Sequence, residues 1–317
     1  MGLFTGTTDD FRQYVSVSVN FTMAALMPEL NAVEASLLPR FLGDGVWAQI
    51  IASADSLLDP ITEKGLIRAR HLAKVAVARI AFARYIPFAE IQIGDDGITV
   101  TAVEGRKAAF QYQTDKLERR LFDEGWRAVD ELITLVARNT AVFAGWPDSP
   151  YFAEHQTAVF KTPADFSRYY PIQDRWLTYW ALRPFIRAVE EDRGEINLTR
   201  IDGLPSAVTP TQKEALKRRL HRALAYQSVI EAMPGLSIEL NGANVQVNYA
   251  SQYGNATYYQ PPGKDHLTWV MANLQNQAAL AWAGFEMAMD ALQPALAGPD
   301  NRTSGLGLIG GGPVVML

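Results

Sequence analysis

The chain contains the same helix-opening phrase twice, and this repetition constrains the fold more than any other feature of the sequence. The segment TDDFRQYVSV at residues 8–17 matches PADFSRYYPI at residues 163–172, with aspartate, phenylalanine and tyrosine at corresponding positions. A longer match aligns YIPFAEIQIGDDGITVT at 85–101 with AMPGLSIELNGANVQVN at 232–248, and the matches keep the same order. Because recurring segments in a fixed order are the signature of a repeated structural unit, the sequence predicts two tandem copies of one domain.

Each copy is predicted to begin with a short helix after a capping threonine, Thr8 in the first copy and Thr162 in the second. A second, amphipathic helix follows in both. The first copy then has an additional helical segment near residues 44–58, where the second copy has a looser stretch near 194–210. Segments that connect helices tolerate insertions and deletions better than the helices do, so such a difference is compatible with two copies of one domain.

The rest of each copy is predicted to be a long helix, a β-hairpin and a final long helix. Apolar residues at helical spacing indicate the third helix, which is expected to end at Pro87 in one copy and Pro234 in the other. Alternating apolar and polar residues around GDDG and NGAN turns then predict hairpins near 88–101 and 236–248.

These patterns predict a mainly α (α+β) fold of two tandem duplicated helical domains, each with about four main helices and one β-hairpin. An extended C-terminal arm follows, because the last residues are too rich in glycine for a helix. The predicted divisions are a first repeat at 1–145, a linker at 146–161, a second repeat at 162–293 and the arm at 294–317.

Composition excludes several classes of site. The chain has no cysteine, which removes disulfides, thiolate metal sites and cysteine nucleophiles. The formal net charge is −5, so the chain as a whole is not attracted to polyanions. No apolar run is long enough for a membrane span, and MGLFTGTTDD lacks the pattern of a secretory signal. We therefore expect a protein without membrane contact.

No pattern of catalytic or ligand-binding residues stands out. The four histidines lack metal-ligand spacing. Asp95 and Asp96 could form a cation or acid pair, but a hairpin turn explains them better because the matching NGAN has no carboxylate. The glycine-rich GLGLIGGGP lacks the preceding strand of a nucleotide-binding loop. We predict no catalytic, cofactor-binding or metal-binding residues, no cofactor, and no enzymatic activity.

Basic residues are the one charged feature present in both copies. They lie on the third helix of each copy and comprise Arg68, Lys74, Arg79, Lys217, Arg218 and Arg222. They could form a face for non-specific DNA contact or for an acidic partner. The alternative is that long helices ordinarily carry solvated lysine and arginine, and the negative net charge favours this alternative.

The opening phrase, followed by an amphipathic helix and by LLPRFLGDGVW at residues 37–47, resembles an uncharacterised family of virion proteins of tailed phages and prophages. The helical plan also resembles phage head–tail connector, or neck adaptor, proteins. The resemblance implies a non-enzymatic structural subunit of a ring that joins portal and tail. It implies assembly in the bacterial host cytoplasm and a final place in the virion. The alternatives are a scaffold for DNA or an acidic partner, or another tail or contractile-particle component.

Two segments are predicted to make assembly contacts in a homo-oligomeric ring or with neighbouring portal and tail proteins. One is the apolar tip of the arm, and the other is a tyrosine-rich segment after the second hairpin. Their residues are Leu308, Ile309, Val314, Val315, Leu317, Tyr253, Tyr258 and Tyr259.

Overall fold

The computed structural model is mainly helical, as the sequence predicts. It describes residues 2–53, 60–89, 91–94, 97–100, 111–149, 152, 158–236 and 264–292. None of the helices in these ranges combines the length and the apolar character that a membrane span requires.

The first half is built around a pair of long helices, α5 and α6. Gly125 of α6 lies against Ile80 of α5, and Val142, just after α6, lies against Gly65 near the start of α5. The two helices therefore run antiparallel. In chain order the elements are α1 (Thr8–Arg12), α2 (Met23–Ser36), α3 (Leu38–Leu42), α4 (Asp44–Ala52), α5 (Pro60–Ala89), β1 (Ile91–Gly94), β2 (Gly97–Val100), α6 (Gln111–Arg138) and a 3₁₀ turn (Trp146–Asp148).

The second half is also built around two long helices, α10 and α11. Arg219 of α10 donates a hydrogen bond to the carbonyl oxygen of Gly284 of α11 at 3.2 Å. The elements in order are α7 (Pro163–Ser167), α8 (Trp176–Val189), a π-helical turn (Glu190–Gly194), α9 (Glu195–Asp202), α10 (Pro210–Leu236) and α11 (Lys264–Leu292). In both halves a shorter helix, α2 or α8, packs across the first long helix.

Strands β1 and β2 pair antiparallel, with Ile91 opposite Val100 and Gly94 opposite Gly97. This pair lies where the sequence predicts the first hairpin, near 88–101. The second predicted hairpin, near 236–248, falls almost entirely outside the described residues, since α10 ends at Leu236.

Three local predictions are wrong. The first helix is capped by Thr7 and not Thr8, because the Thr7 hydroxyl accepts the N–H of Asp10 while the Thr8 hydroxyl donates to the carbonyl of Phe21. Helices α5 and α10 do not end at their prolines but run two residues beyond them. A proline in the last turn removes only one backbone donor, and this loss is too small to end the helix at that residue. The stretch near 194–210 contains helix α9 instead of a loose connection.

The two halves share one hydrophobic core. At their junction Phe41 of α3 stacks on Trp180 of α8, with ring centroids 5.4 Å apart and an interplanar angle of 4°. Trp146, which is completely buried, meets Trp176 edge to face. The predicted linker at 146–161 therefore includes residues that pack into the core.

A carboxylate from the first half caps a helix of the second. Asp130 of α6 accepts the N–H of Leu177 at 3.1 Å, at the start of α8, where Arg175 supplies no side-chain cap. Burial is the main cause that raises the pKa of Asp130 from 3.8 to about 6. The folded state therefore holds this proton more tightly than the unfolded chain does.

This pKa shift predicts how stability varies with pH. The contribution of Asp130 to stability should fall as pH rises from about 4 to about 6, because over this range its carboxyl releases a proton in the unfolded chain and keeps it in the folded chain. Asp130→Asn keeps an oxygen acceptor but lacks this titration, so relative to wild type its free energy of unfolding should rise with pH and be about 2 kcal/mol higher at pH 7.5. Urea unfolding of both proteins between pH 4 and 8 measures the effect. A variant less stable than wild type at every pH would show instead that the ionised carboxylate is the better cap.

Candidate functional site

The outward side of helix α11 is uncharged over most of its length. Trp269, Leu280 and Met287 are exposed by 62%, 60% and 73%. Their spacing is close to whole turns of a 3.6-residue helix, so they lie along one stripe. The other exposed residues of α11 up to position 283 are Thr268, Ala272, Asn273, Gln275, Asn276, Ala279 and Ala283, none of which is charged. We call this surface the α11 stripe.

The corresponding long helix of the first half has the opposite character. Its exposed residues include Asp115, Lys116, Arg119, Arg120, Asp123, Arg127, Glu131 and Arg138. A charged outer face is typical of a helix that remains in water. By contrast, no charged residue occurs between Thr268 and Phe285 in α11. An exposed face without charge is typical of a surface that contacts another protein.

Charged contacts on one flank fix the orientation of α11. Arg200 of α9 forms two hydrogen bonds with Glu286, both 2.9 Å long, and these bonds lower the pKa of that carboxyl. The Arg193 guanidinium lies 5.3 Å from the ring centroid of Trp282. Because Trp282 faces the π-helical turn and Glu286 faces α9, the α11 stripe is directed away from the second half.

An open groove of about 410 Å³ lies where the end of α11 meets the start of α10. It is lined by Gln212, Ala215, Leu216, Arg219, Met287, Ala288, Ala291 and Leu292. Most of these side chains are apolar, and Met287 belongs to both the groove and the α11 stripe. We call this feature the α10–α11 groove.

The predicted basic residues do not form one continuous face. On α5, Lys74 contacts Asp10 at 2.8 Å and Arg79 contacts Glu124 at 3.0 Å, whereas Arg68 is exposed. Both ion pairs hold secondary-structure elements together within the first half. Lys74 and Arg79 therefore have structural partners already.

On α10 the basic residues are more accessible. Arg218 and Arg222 are exposed, and Lys217 lies 3.5 Å from Asp202. Lys217 and Arg218 line a second pocket, of about 420 Å³, together with Arg168, Tyr169, Glu214 and His221. Burial lowers the pKa of His221, so this histidine adds little positive charge near neutral pH. The pocket thus combines three cationic side chains with one carboxylate.

The chain before α1 is held by a half-buried carboxylate that the sequence prediction missed. Both carboxylate oxygens of Glu34 accept the N–H of Leu3, at 3.0 and 3.1 Å. Next to this contact, the Tyr14 ring lies 5.8 Å from Phe4 and 5.6 Å from His71. These contacts fasten the N-terminal segment to α2 and α5.

The chain before α7 is held in the same way. Glu190 accepts the N–H groups of Val159 at 3.0 Å and Phe160 at 3.2 Å. The Tyr169 ring lies 6.1 Å from Phe160 and 5.8 Å from His221. Glu34 ends the segment PELNAVE and Glu190 ends PFIRAVE, so a comparison of these two segments could have found both residues.

Glu190 differs from Glu34 in having a buried cationic partner. Its second oxygen accepts a 2.8 Å hydrogen bond from Arg183, and both side chains are almost fully buried.

Two kinds of predicted site can be checked only in the described parts of the chain. There, no group of three or more histidine, aspartate or glutamate side chains is placed to hold a metal ion. The predicted assembly residues at 253–259 and 308–317 lie outside the described residues.

Comparison with known proteins gives one partial match. Residues 37–156 match a family described as a family of unknown function (DUF6712). The match runs from the end of α2 to the connection after the first half and covers less than half of the chain. No curated protein and no solved structure matches the chain.

Proposed function

We propose that this chain is a non-enzymatic structural subunit of a tailed-phage or prophage virion, acting as a head–tail connector in the neck between portal and tail. The observation that carries the proposal is the α11 stripe, an exposed and uncharged helix face on an otherwise charged protein. Exposing such a face to water costs free energy, and this cost is removed when the face is covered by another protein. The resemblance of the N-terminal segments to virion proteins is the reason for proposing that the assembly is a phage particle.

We also infer that the two halves arose by duplication of one helical unit. Each half has a carboxylate that binds the backbone before its first helix, and each has a phenylalanine, tyrosine and histidine in ring contact. In each half these rings join the N-terminal segment to the first long helix. Two unrelated helical domains would not be expected to share both arrangements in the same chain order.

Head-to-tail contacts join two different surfaces, and they close into a ring when the rotation between subunits divides a full turn. Within such a ring, every subunit would contact one neighbour through each of these surfaces. The α11 stripe is one such surface. The predicted contacts of the arm, through residues 308–317, would add to it by ordering on assembly. Portal and tail proteins would then bind the two faces of the ring.

Light scattering of the purified chain, followed by negative-stain electron microscopy, tests this proposal. We expect particles of several subunits with a central opening, either spontaneously or at high protein concentration. A chain that stays monomeric at 100 times the concentration used for imaging would contradict a ring-forming role.

A second candidate function is a scaffold for DNA or an acidic partner, and the cationic pocket of Arg168, Lys217 and Arg218 favours it. If this is the function, duplex DNA should bind with an affinity that falls steeply with salt. Arg168→Ala and Arg218→Ala should each reduce the slope of log affinity against log salt by about 1. Arg138→Ala, at an exposed position on α6, is the matched control. No DNA binding at 50 mM salt would exclude DNA as the partner of this pocket.

A further inference from the structure

The six residues that line the cationic pocket come from two places on the chain. Four of them stand at positions i, i+3, i+4 and i+7 of α10 and therefore share one face of that helix. They are Glu214, Lys217, Arg218 and His221. The other two, Arg168 and Tyr169, directly follow α7. The Tyr169 and His221 rings, with centroids 5.8 Å apart, join the two parts of the wall.

The carboxylates near this pocket already have partners. Lys217 lies 3.5 Å from Asp202 and 3.8 Å from Glu214. Asp165 of α7 accepts a 2.9 Å hydrogen bond from the hydroxyl of Thr162, the residue that caps this helix. Two of the three carboxylates thus share Lys217, and the third is held at the start of its own helix.

Four polar groups of the pocket have no partner within the described ranges. The exposed guanidinium groups of Arg168 and Arg218 form neither an ion pair nor a hydrogen bond there. The Tyr169 hydroxyl and the His221 ring nitrogens form no hydrogen bond there either. Burial raises the pKa of Tyr169, and both arginines lower it. The two positive charges therefore act on the same hydroxyl group, at one place in the pocket.

The first half has the matching pair of rings without the same charge, if the two halves correspond as the proposed duplication implies. There Tyr14 and His71 lie 5.6 Å apart. Counted from these rings, two of the three cations are missing from the first half. Gln13 replaces Arg168, and Ile67 replaces Lys217. A charged helix face needed only for contact with water would not have to differ in this way, so the cations indicate a site that belongs to the second half.

We propose that the cationic pocket is a binding site for a small phosphate monoester, whose phosphate oxygens accept hydrogen bonds from Arg168, Arg218 and the Tyr169 hydroxyl. Near pH 7 such a phosphate carries about 1.5 to 2 negative charges. This charge matches two unpaired arginines, whereas a carboxylate or a phosphodiester carries only one. The guanidinium group also has the planar pair of donors that fits phosphate oxygens.

The shape of the pocket limits what the phosphate is attached to. A volume of about 420 Å³ lies in the range of small-molecule sites and accommodates a phosphate with a substituent the size of one ring. Glu214 lies on the same wall and would repel a second phosphate group. A single phosphate is therefore favoured over the run of phosphates in DNA. This site goes beyond the ring subunit proposed above and does not depend on assembly.

Titration calorimetry of the full chain with phenyl phosphate tests the site. The comparison ligand is methyl phenyl phosphate, which keeps the ring but carries one charge. We expect phenyl phosphate to bind about 10 times more tightly or better at pH 7.5, because it offers more charge and one more oxygen to the two arginines. Equal affinities would reduce the pocket to a region of general positive charge and overturn the proposal. Absence of binding at about 5 mM phenyl phosphate would also overturn it.

Three substitutions locate the binding. Arg168→Ala and Arg218→Ala should each weaken phenyl phosphate binding about 10-fold or more, because each removes charged hydrogen bonds. Tyr169→Phe keeps every charge and the ring contacts, so a weaker affinity for this variant would separate a built site from simple charge attraction. An unchanged affinity for Tyr169→Phe would remove the hydroxyl from the proposed donor set and contradict the geometry.

The matched control is Arg68→Ala, at the position of the first half that corresponds to Arg218. Both arginines are exposed on a long helix, so the two substitutions remove the same charge from comparable surfaces. Arg68→Ala should bind phenyl phosphate as wild type does, and circular dichroism should show the same helix content in every variant. An equal loss for Arg68→Ala and Arg218→Ala would contradict a site confined to the second half.

A DNA duplex with hydroxyl ends, which contains phosphodiesters only, separates this site from the DNA scaffold considered above. Binding of the duplex without binding of phenyl phosphate would overturn the monoester assignment in favour of that scaffold. Light scattering of the same samples measures assembly independently. A chain that binds phenyl phosphate but stays monomeric would therefore support the site while contradicting the ring, and the opposite result would do the reverse.

Discussion

Replacing Leu280 and Met287 together by glutamate is expected to abolish the proposed self-assembly while the monomer stays folded. Both side chains are exposed in the isolated chain, so the change costs little in the free subunit. In a contact, the two carboxylates would lose water without gaining partners. A loss of about 2 kcal/mol at each position corresponds to roughly a 1,000-fold weaker contact.

The matched control places the same two glutamates on the charged face of α6, at Lys116 and Arg127. Both positions are exposed and helical, so the control introduces the same residue type on a comparable surface. Light scattering should give the wild-type mass for the control and the monomer mass for the α11 variant. Circular dichroism should show the same helix content in all three proteins. If the α11 variant keeps the wild-type mass, the stripe is not the assembly surface.

Glu190→Ala is expected to lower the free energy of unfolding by about 3–5 kcal/mol, the largest effect of any single substitution considered. The substitution removes the acceptor of two backbone N–H groups and leaves Arg183 as a buried charge without its carboxylate. Arg183 already has one buried nitrogen, Nε, without a hydrogen bond. Little within the site can therefore compensate. Guanidinium unfolding followed by circular dichroism measures the loss.

Glu34→Ala is the matched comparison, because Glu34 binds the corresponding backbone segment without a buried arginine. We expect a loss of about 1–3 kcal/mol for this variant, since burial already raises the pKa of Glu34 and makes its charged form costly. Adding Arg183→Met to Glu190→Ala should recover part of the larger loss, because the unpaired charge is gone. Equal losses for Glu34 and Glu190 would show that the ion pair contributes nothing.

The helical frame could be predicted because it depends on local patterns. The apolar spacing of α5 matches its buried residues, including Leu66, Ala73 and Ile80. The precise ends of the helices could not be predicted. For example, Thr7 and Thr8 are adjacent and either could cap α1, so only the fold decides between them. Helix α9 was missed because its short sequence EINLTRID has a weak apolar pattern, and its position depends on contacts such as Arg200 with Glu286.

The candidate site was less predictable than the fold, for a different physical reason. Helix α11 carries apolar residues on all sides, so periodicity alone does not show which side α9 and α10 cover. Trp282 and Trp269 look equivalent in the sequence, yet one is partly buried against Arg193 and the other is exposed. The basic residues were easier to find but harder to interpret, because Lys74 and Arg79 are engaged in ion pairs.

The stacking of Phe41 on Trp180 has a mechanical consequence. Together with the capping of α8 by Asp130, it joins the halves through close-packed rings and a backbone hydrogen bond instead of through a hinge. A push or twist applied to one half would therefore reach the other with little bending between them. If the chain is a ring subunit as proposed, it would transmit torque as a single stiff block, and the angle between its neighbours would be fixed when the chain folds.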